Sequence, residues 1–146
     1  MPRLMTRLRF SHLRFPYRGA GIGLVLNNSI LLGKRTKKLF YGKWAVPGGG
    51  KEKGETCLSC AKREFFEETG CNLDALNAKA IGSWTLSLLP FFKWTTFFYQ
   101  IDLFTSQLKP DEFSALEWVP IEKVKARKCR PFTNCEIKKL SHLLSI

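Results

Sequence analysis

The stretch from Thr56 to Gly70 constrains this chain more than any other, because it reads as one helix with two dissimilar faces. Thr56 suits an N-cap, and Gly70 stands where a left-handed C′ glycine closes a helix. Leu58, Ala61 and Phe65 fall at i, i+3 and i+7, which makes an apolar stripe. Glu64, Glu67 and Glu68 fall at i, i+3 and i+4, so their carboxylates share a face. Like charges at those spacings repel and cost stability unless something neutralises them. Two neutralisers are open on the triplet alone: the neighbouring Lys62 and Arg63, or a hard divalent cation with oxygen ligands. The helix is expected to bury its apolar stripe and to present the carboxylates on the other side.

The rest of the chain alternates like a β-rich domain. Ala20 to Leu26 reads as a strand, Asn27-Asn28 as a turn, and Ile30 to Arg35 as the return of a hairpin. Trp44 to Val46 is a short apolar piece that runs into Pro47-Gly48-Gly49-Gly50, a loop signal. After the helix come two β-rich runs, Ile81 to Leu89 and Trp94 to Phe104. Lys109 to Ala115 reads as polar loop, Leu116 to Val119 as a short strand, and Pro120 to Val124 as a turn. Glu136 to Ile146 carries a helical pattern with Ile137, Leu140, Leu143 and Leu144 on one side. Strands around one central helix, with a second helix late in the chain, predict an α+β layered fold.

The spacing of the segment from Gly49 to Cys71 carries more than its helix. Gly49 is followed after five residues by Glu55, after seven more by Arg63-Glu64, then by Glu67-Glu68, Gly70 and Cys71. This 23-residue pattern resembles the Nudix box at every fixed position, with Cys71 where an aliphatic residue is usual. A Trp44-x-x-Pro47-Gly-Gly entry and a preceding hairpin agree with it. The resemblance implies an α/β/α sandwich with a mixed central sheet, and hydrolysis of a diphosphate linkage in a nucleotide with Mg²⁺, for which Mn²⁺ can substitute. It implies metal ligands at Gly48 (through its carbonyl), Glu64, Glu67 and Glu68, with Glu64 as a further ligand or as the general base. Arg63 would orient the glutamates, Glu55 among them. Glu112, five residues before Glu117-Trp118, matches a further catalytic or metal-binding acid of the MutT-like subgroup. Lys34 and Arg35 match that subgroup's phosphate contacts, and Asn134 in Pro131-Phe132-Thr133-Asn134 matches a purine-reading Asn. Asn134 as a cap of the last helix is the plainer alternative. Trp84, Phe91 and Trp94 are aromatic enough to stack a base, with core packing as their default role. The expected substrate is a nucleoside triphosphate, including an oxidised purine, cleaved to the monophosphate and pyrophosphate. The alternatives are another linkage (ADP-ribose, a nucleotide sugar, a dinucleoside polyphosphate) or a non-catalytic nucleotide- or nucleic-acid-binding module.

Charge adds a second theme. The formal net charge is +12, with eleven Lys and Arg before the first acid, Glu52. A basic body around a local acidic cluster suits a polyanion, and a nucleic-acid partner stays open on charge alone. Residues 1–18 are acid-free and Arg-bearing like a mitochondrial presequence. They hold little Ser and two prolines, and are read as a basic leader ahead of a domain over 19–146. No apolar run is long enough for a membrane span. The five cysteines are odd in number, and Cys57-x-x-Cys60 has no second pair to complete a zinc site. Reduced packing thiols and a cytoplasmic location are expected. Oligomeric state is left open.

Overall fold

The computed structural model describes residues 16–36, 40–110 and 113–146. Seven strands form one mixed sheet. The hairpin of β1 (Tyr17–Leu26) and β2 (Ser29–Arg35) turns at Asn27 and Asn28, both with positive φ (48° and 61°), as a two-residue hairpin turn requires. The two strands pair only beside the turn, at Val25–Ile30 and Leu26–Ser29, and then splay. Two short strands fill the opening. β3 (Trp44–Ala45) takes the freed edge of β2, and β4 (Gly48–Gly50) takes the freed edge of β1. β5 (Lys79–Leu88) and β6 (Phe92–Ile101) form the next hairpin, and β6 runs parallel to β1 along its whole length. β7 (Phe113–Pro120) closes the other edge of β2.

The expected elements are present with several changes. β1 begins at Tyr17, so Tyr17 and Arg18, read as the end of the leader, lie in the sheet. β7 starts three residues before the expected strand and replaces the end of the supposed polar loop. The Gly-rich entry is itself a strand rather than a loop. Its ladder with β1 joins Gly48 to Gly21, Gly49 to Ala20 and Gly50 to Gly19. A Cβ on Gly48 would come within 2.6 Å of the Ala20 carbonyl oxygen and 2.7 Å of the Trp94 ring, so only glycine lets these backbones approach.

Helices cover both faces. α1 (Cys57–Thr69) is capped by Thr56, which accepts from the Ser59 amide, and ends at Gly70 with φ 77°. It packs Cys60, Ala61 and Phe65 on Ala20, Ile22, Leu24 and Leu31. Full burial of a side chain like Phe65 contributes roughly 1.5–3 kcal/mol. α2 (Thr133–Leu144) packs Ile137 and Leu140 on Val25, Ile30, Leu32, Trp94 and Phe98 of the opposite face. Alternation along β1 sends Ala20, Ile22 and Leu24 to one core and Val25 to the other. The result is the expected α/β/α arrangement on a mixed sheet. Among the described residues no helix is long and apolar enough to cross a membrane.

Candidate active site

The acidic face of α1 does not point to water. Glu64 is 9% exposed and Glu68 is 2% exposed, and Leu58, expected in the apolar stripe, is only half-buried. The helix is thus turned so that its carboxylates face β4. A Cβ on Gly49 would sit 2.5 Å from Glu64 Cδ and 2.7 Å from both of its oxygens, so the missing side chain of Gly49 is the space in which Glu64 lies.

Arg63 ties this face together. Its Nε and Nη2 donate to the two oxygens of Glu55 at 2.7 and 2.9 Å, a fork-on-fork pair. Nη1 donates to Glu64 at 3.0 Å and to Glu67 at 3.3 Å, and lies 3.8 Å from Glu52. Lys62, the other cation beside the triplet, turns away to Asp74 at 2.9 Å. One guanidinium therefore serves four carboxylates. The Arg63 hydrogen bond, opposed by desolvation, holds the Glu55 carboxyl below its usual range. Burial and the nearby Glu64 charge push the Cys60 thiol up to about 12. All five cysteines are free thiols, and Cys60 packs against the Gly49 carbonyl.

The ladder explains what β4 offers. The Ile22 amide donates to the Pro47 carbonyl and the Lys51 amide to the Arg18 carbonyl. Alternation then turns the Gly48 and Gly50 carbonyls away from β1. The Gly50 carbonyl accepts from Arg63 Nη2 at 3.1 Å. The Gly48 carbonyl is the other one presented at this edge. Oxygen donors of this kind fit Mg²⁺ rather than a soft metal. Among the described residues no three acidic, thiol or imidazole side chains stand gathered as a set of metal ligands.

The other expected site residues are placed as follows. Glu112 lies outside the described residues. Lys34 and Arg35 line a cleft of about 400 Å³ at the end of β2, together with Lys43, Lys128, Tyr41, Gly42 and Ser114. Lys43 and Lys128 were not singled out by sequence, since neither belongs to a local motif. Asn134 is exposed in the first turn of α2 and does not cap it; Phe132 holds the N-cap position without a side-chain bond. Trp94 is a core residue, 3% exposed, lying under Gly19, Gly21 and Gly48. Trp84 is half-buried and stacks on Phe132 at 5.8 Å, while Phe91 is 61% exposed.

Sequence reading also missed a buried ion pair under α2. Arg130, 4% exposed, donates to both oxygens of Glu136, which is fully buried, at 3.2 and 3.3 Å. Its guanidinium lies over the rings of both Trp94 and Phe132, 4.4 and 4.2 Å from their centroids. Thr96 bonds Glu136 and accepts from the Trp94 indole at 2.8 Å.

Comparison with known proteins agrees with this architecture. The family model described as NUDIX domain matches residues 16–138, and the chain belongs to the Nudix family. An m7GpppN-mRNA hydrolase of Xenopus laevis is 35% identical over 80 residues, which is 50% of this chain and 27% of that protein. An RNA pyrophosphohydrolase of Rickettsia conorii is 42% identical over 69 residues, 45% of this chain and 42% of that one. The chain thus spans well under half the length of these curated relatives. Among solved structures, an Ap4A hydrolase of C. elegans superposes with a TM-score of 0.72 at 15% identity, over 88% of this chain and 98% of that chain. That likeness concerns the fold.

Proposed function

We propose that this chain is a Mg²⁺-dependent hydrolase of diphosphate linkages in nucleotides, with Mn²⁺ able to substitute. The observation that carries the reading is the gathering of carboxylates on and just before α1. Glu52, Glu55, Glu64 and Glu67 all lie within 4 Å of Arg63, and Glu68 is buried on the same helix. Carboxylates gathered this closely repel one another, and a divalent cation with oxygen ligands would offset that repulsion. Glu64, Glu67, Glu68 and the Gly48 carbonyl would hold the cation, with Glu112 as a further acid. The bound cation would offset charge on the phosphate oxygens and on the attacking water. Arg63, locked by Glu55, keeps Glu64 and Glu67 from rotating apart. Glu64, seated against Gly49, is placed to accept a proton from water or to share the metal.

Within that reading we assign Lys34 and Arg35 to phosphate contacts and Asn134 to a base edge, as in the MutT-like subgroup. The substrate is then a nucleoside triphosphate, oxidised purines included, split to the monophosphate and pyrophosphate. The names of similar proteins favour a second reading as strongly: an mRNA cap hydrolase, an RNA pyrophosphohydrolase and an Ap4A hydrolase all cleave other linkages. Free thiols agree with a cytoplasmic setting.

The test is release of phosphate and pyrophosphate with Mg²⁺ from canonical and oxidised nucleoside triphosphates, ADP-ribose, nucleotide sugars and dinucleoside polyphosphates. EDTA-sensitive pyrophosphate release from a triphosphate supports the narrow reading. Turnover confined to another linkage removes the role of Asn134. No turnover of any substrate defeats the hydrolase and leaves a binding module.

A further inference from the structure

The β5–β6 hairpin ends in an apolar tip that neither core uses. Among the described residues seven large apolar side chains are left exposed. Three of them fall within four consecutive positions: Leu88 at 58%, Leu89 at 68% and Phe91 at 61%. The tip is a tight turn, closed by the Phe91 amide donating to the Leu88 carbonyl at 2.9 Å. It is also anchored. The Tyr17 amide donates to the Phe91 carbonyl at 2.8 Å, and the rings of Tyr17 and Phe92 stack at 5.4 Å beside it. The leucines are thus held out on a fixed hairpin, and clustered exposed apolar side chains mark a surface that something covers.

Cations collar the tip. Arg18 reaches back to it and donates to the Pro90 carbonyl at 3.5 Å. Lys93 on β6 is the register partner of Arg18, and the Lys51 amide donates to the Arg18 carbonyl at 2.8 Å. Three cations therefore cross the end of the sheet beside the hairpin. β1, β5 and β6 hold no Asp or Glu, since none occurs before Glu52 or between Asp74 and Asp102. Glu52, next to Lys51, lies 3.8 Å from Arg63. Tyr17, where β1 begins, adjoins the tip, and the sequence ahead of it holds Arg3, Arg7, Arg9 and Arg14 and no acid.

This pairing of apolar tip and basic collar selects its partner. A second copy would cover the leucines but bring another +12 charge, and the same acid-free strands, against this end of the sheet. A polyanion would answer the cations and leave the leucines in water. An anionic bilayer meets both, because acyl chains take up the leucines while the headgroups face the cations.

We propose that the hairpin tip docks this chain on an anionic membrane surface, with Leu88 and Leu89 inserted among the lipids and Arg18 and Lys93 at the level of the headgroups. No described helix is long and apolar enough to cross a bilayer, so the chain lies on the surface rather than through it. The inference does not depend on the hydrolase reading.

The test is flotation of the full chain with vesicles of phosphatidylcholine alone and of phosphatidylcholine mixed with phosphatidylserine, across a KCl series. The wild type is expected to float with the mixed vesicles and far less with the neutral ones. The double variant Leu88→Gln, Leu89→Gln is expected to lower partition into the mixed vesicles about thirtyfold, at high salt as at low. Lys93→Gln is expected to lower it about fivefold at low salt and much less at high salt, where headgroup charge is screened. Both variants should keep the wild-type circular dichroism spectrum. Unchanged binding by the leucine variant would make the attraction purely electrostatic and overturn the proposal. Equal flotation of the wild type with neutral vesicles would overturn it too, by removing the cations from it. Absence of flotation overturns it outright, and a dimer in sedimentation velocity that the leucine variant lacks would then assign the tip to a second copy.

Discussion

Two arginines sit on opposite faces of one sheet, and their charge balance is opposite. Arg130 has one carboxylate partner, Glu136, and both are nearly or fully buried, with the guanidinium over aromatic rings. Arg63 has four carboxylates within 4 Å and keeps a water-facing side. A balanced buried pair is architecture: it ties α2 to β6 through Thr96 and holds Trp94 under Gly48 of β4 and Gly19 and Gly21 of β1. A cluster in which several carboxylates share one guanidinium is one that an added cation would stabilise. The same side chain marks a site by how many carboxylates converge on it, not by its burial.

The largest effect that could break this contrast is catalytic. Glu68→Gln keeps the volume of a side chain that is 2% exposed and removes one charge. Turnover is expected to fall by about 10³- to 10⁴-fold, roughly 4–5 kcal/mol in barrier. The folded state, followed by circular dichroism, should survive. Glu67→Gln should behave in the same way, and near-normal rates in both variants would remove α1 from the chemistry.

Next is stability on the opposite face. Arg130→Ala strands the Glu136 carboxylate in the core and is expected to cost about 3–5 kcal/mol in urea unfolding. The double change of Arg130→Met and Glu136→Leu should recover much of that loss, since neither charge is then left alone. A small loss in the single variant would mean that Glu136 reaches water or takes up a proton cheaply.

Metal should separate the faces by a smaller amount. At a hundredfold excess over its dissociation constant, Mg²⁺ is expected to raise stability by about 2.7 kcal/mol, seen as an upward shift in Tm. Glu67→Gln should lose most of that gain. In EDTA the variant should lie within about 0.5 kcal/mol of the wild type, because the repulsion removed at helical spacing is offset by the loss of the Arg63–Glu67 ion pair. A Mg²⁺ response unaltered by the substitution would place the cation elsewhere.

How much of this was legible in the sequence follows from how local each feature is. α1 was readable at both ends because Thr56 and Gly70 act through bonds within a turn of themselves. The β1–β2 turn was readable for the same reason, at Asn27 and Asn28. β4 was not: three glycines signal a loop, and only the Trp94 ring below and the Glu64 carboxylate above show why they form a strand. Burial of Glu64 and Glu68 was hidden too, since amphipathic reasoning sends charges outward. The Arg63–Glu55 pair was legible through the family spacing. The Arg130–Glu136 pair was not, because Thr96, which completes it, comes from a strand 40 residues from Glu136. The cleft mixes both cases: Lys34 and Arg35 are adjacent, while Lys43 and Lys128 join them only through the sheet.

The smallest expected effect tests whether Arg63 is bound to its surroundings as tightly as its bonds suggest. Glu55 gives both oxygens to Arg63 and also accepts from the Glu52 amide at 2.8 Å. Its carboxyl is therefore easier to ionise in the folded chain than at its ordinary value of 4.5. A depressed carboxyl stabilises the folded state above the unfolded value and loses that contribution as pH falls through the folded one. In EDTA, wild-type stability should thus decline below about pH 4.5 with a component that Glu55→Gln lacks. The variant should begin less stable at neutral pH and show the flatter acid limb in urea titrations from pH 6 to pH 3. A limb equally steep in both would mean that other carboxylates carry the acid response. Arg63 would then be held chiefly by the Gly50 carbonyl and Glu64, and the lock on the α1 face would be weaker than the buried pair under α2 in kind as well as in size.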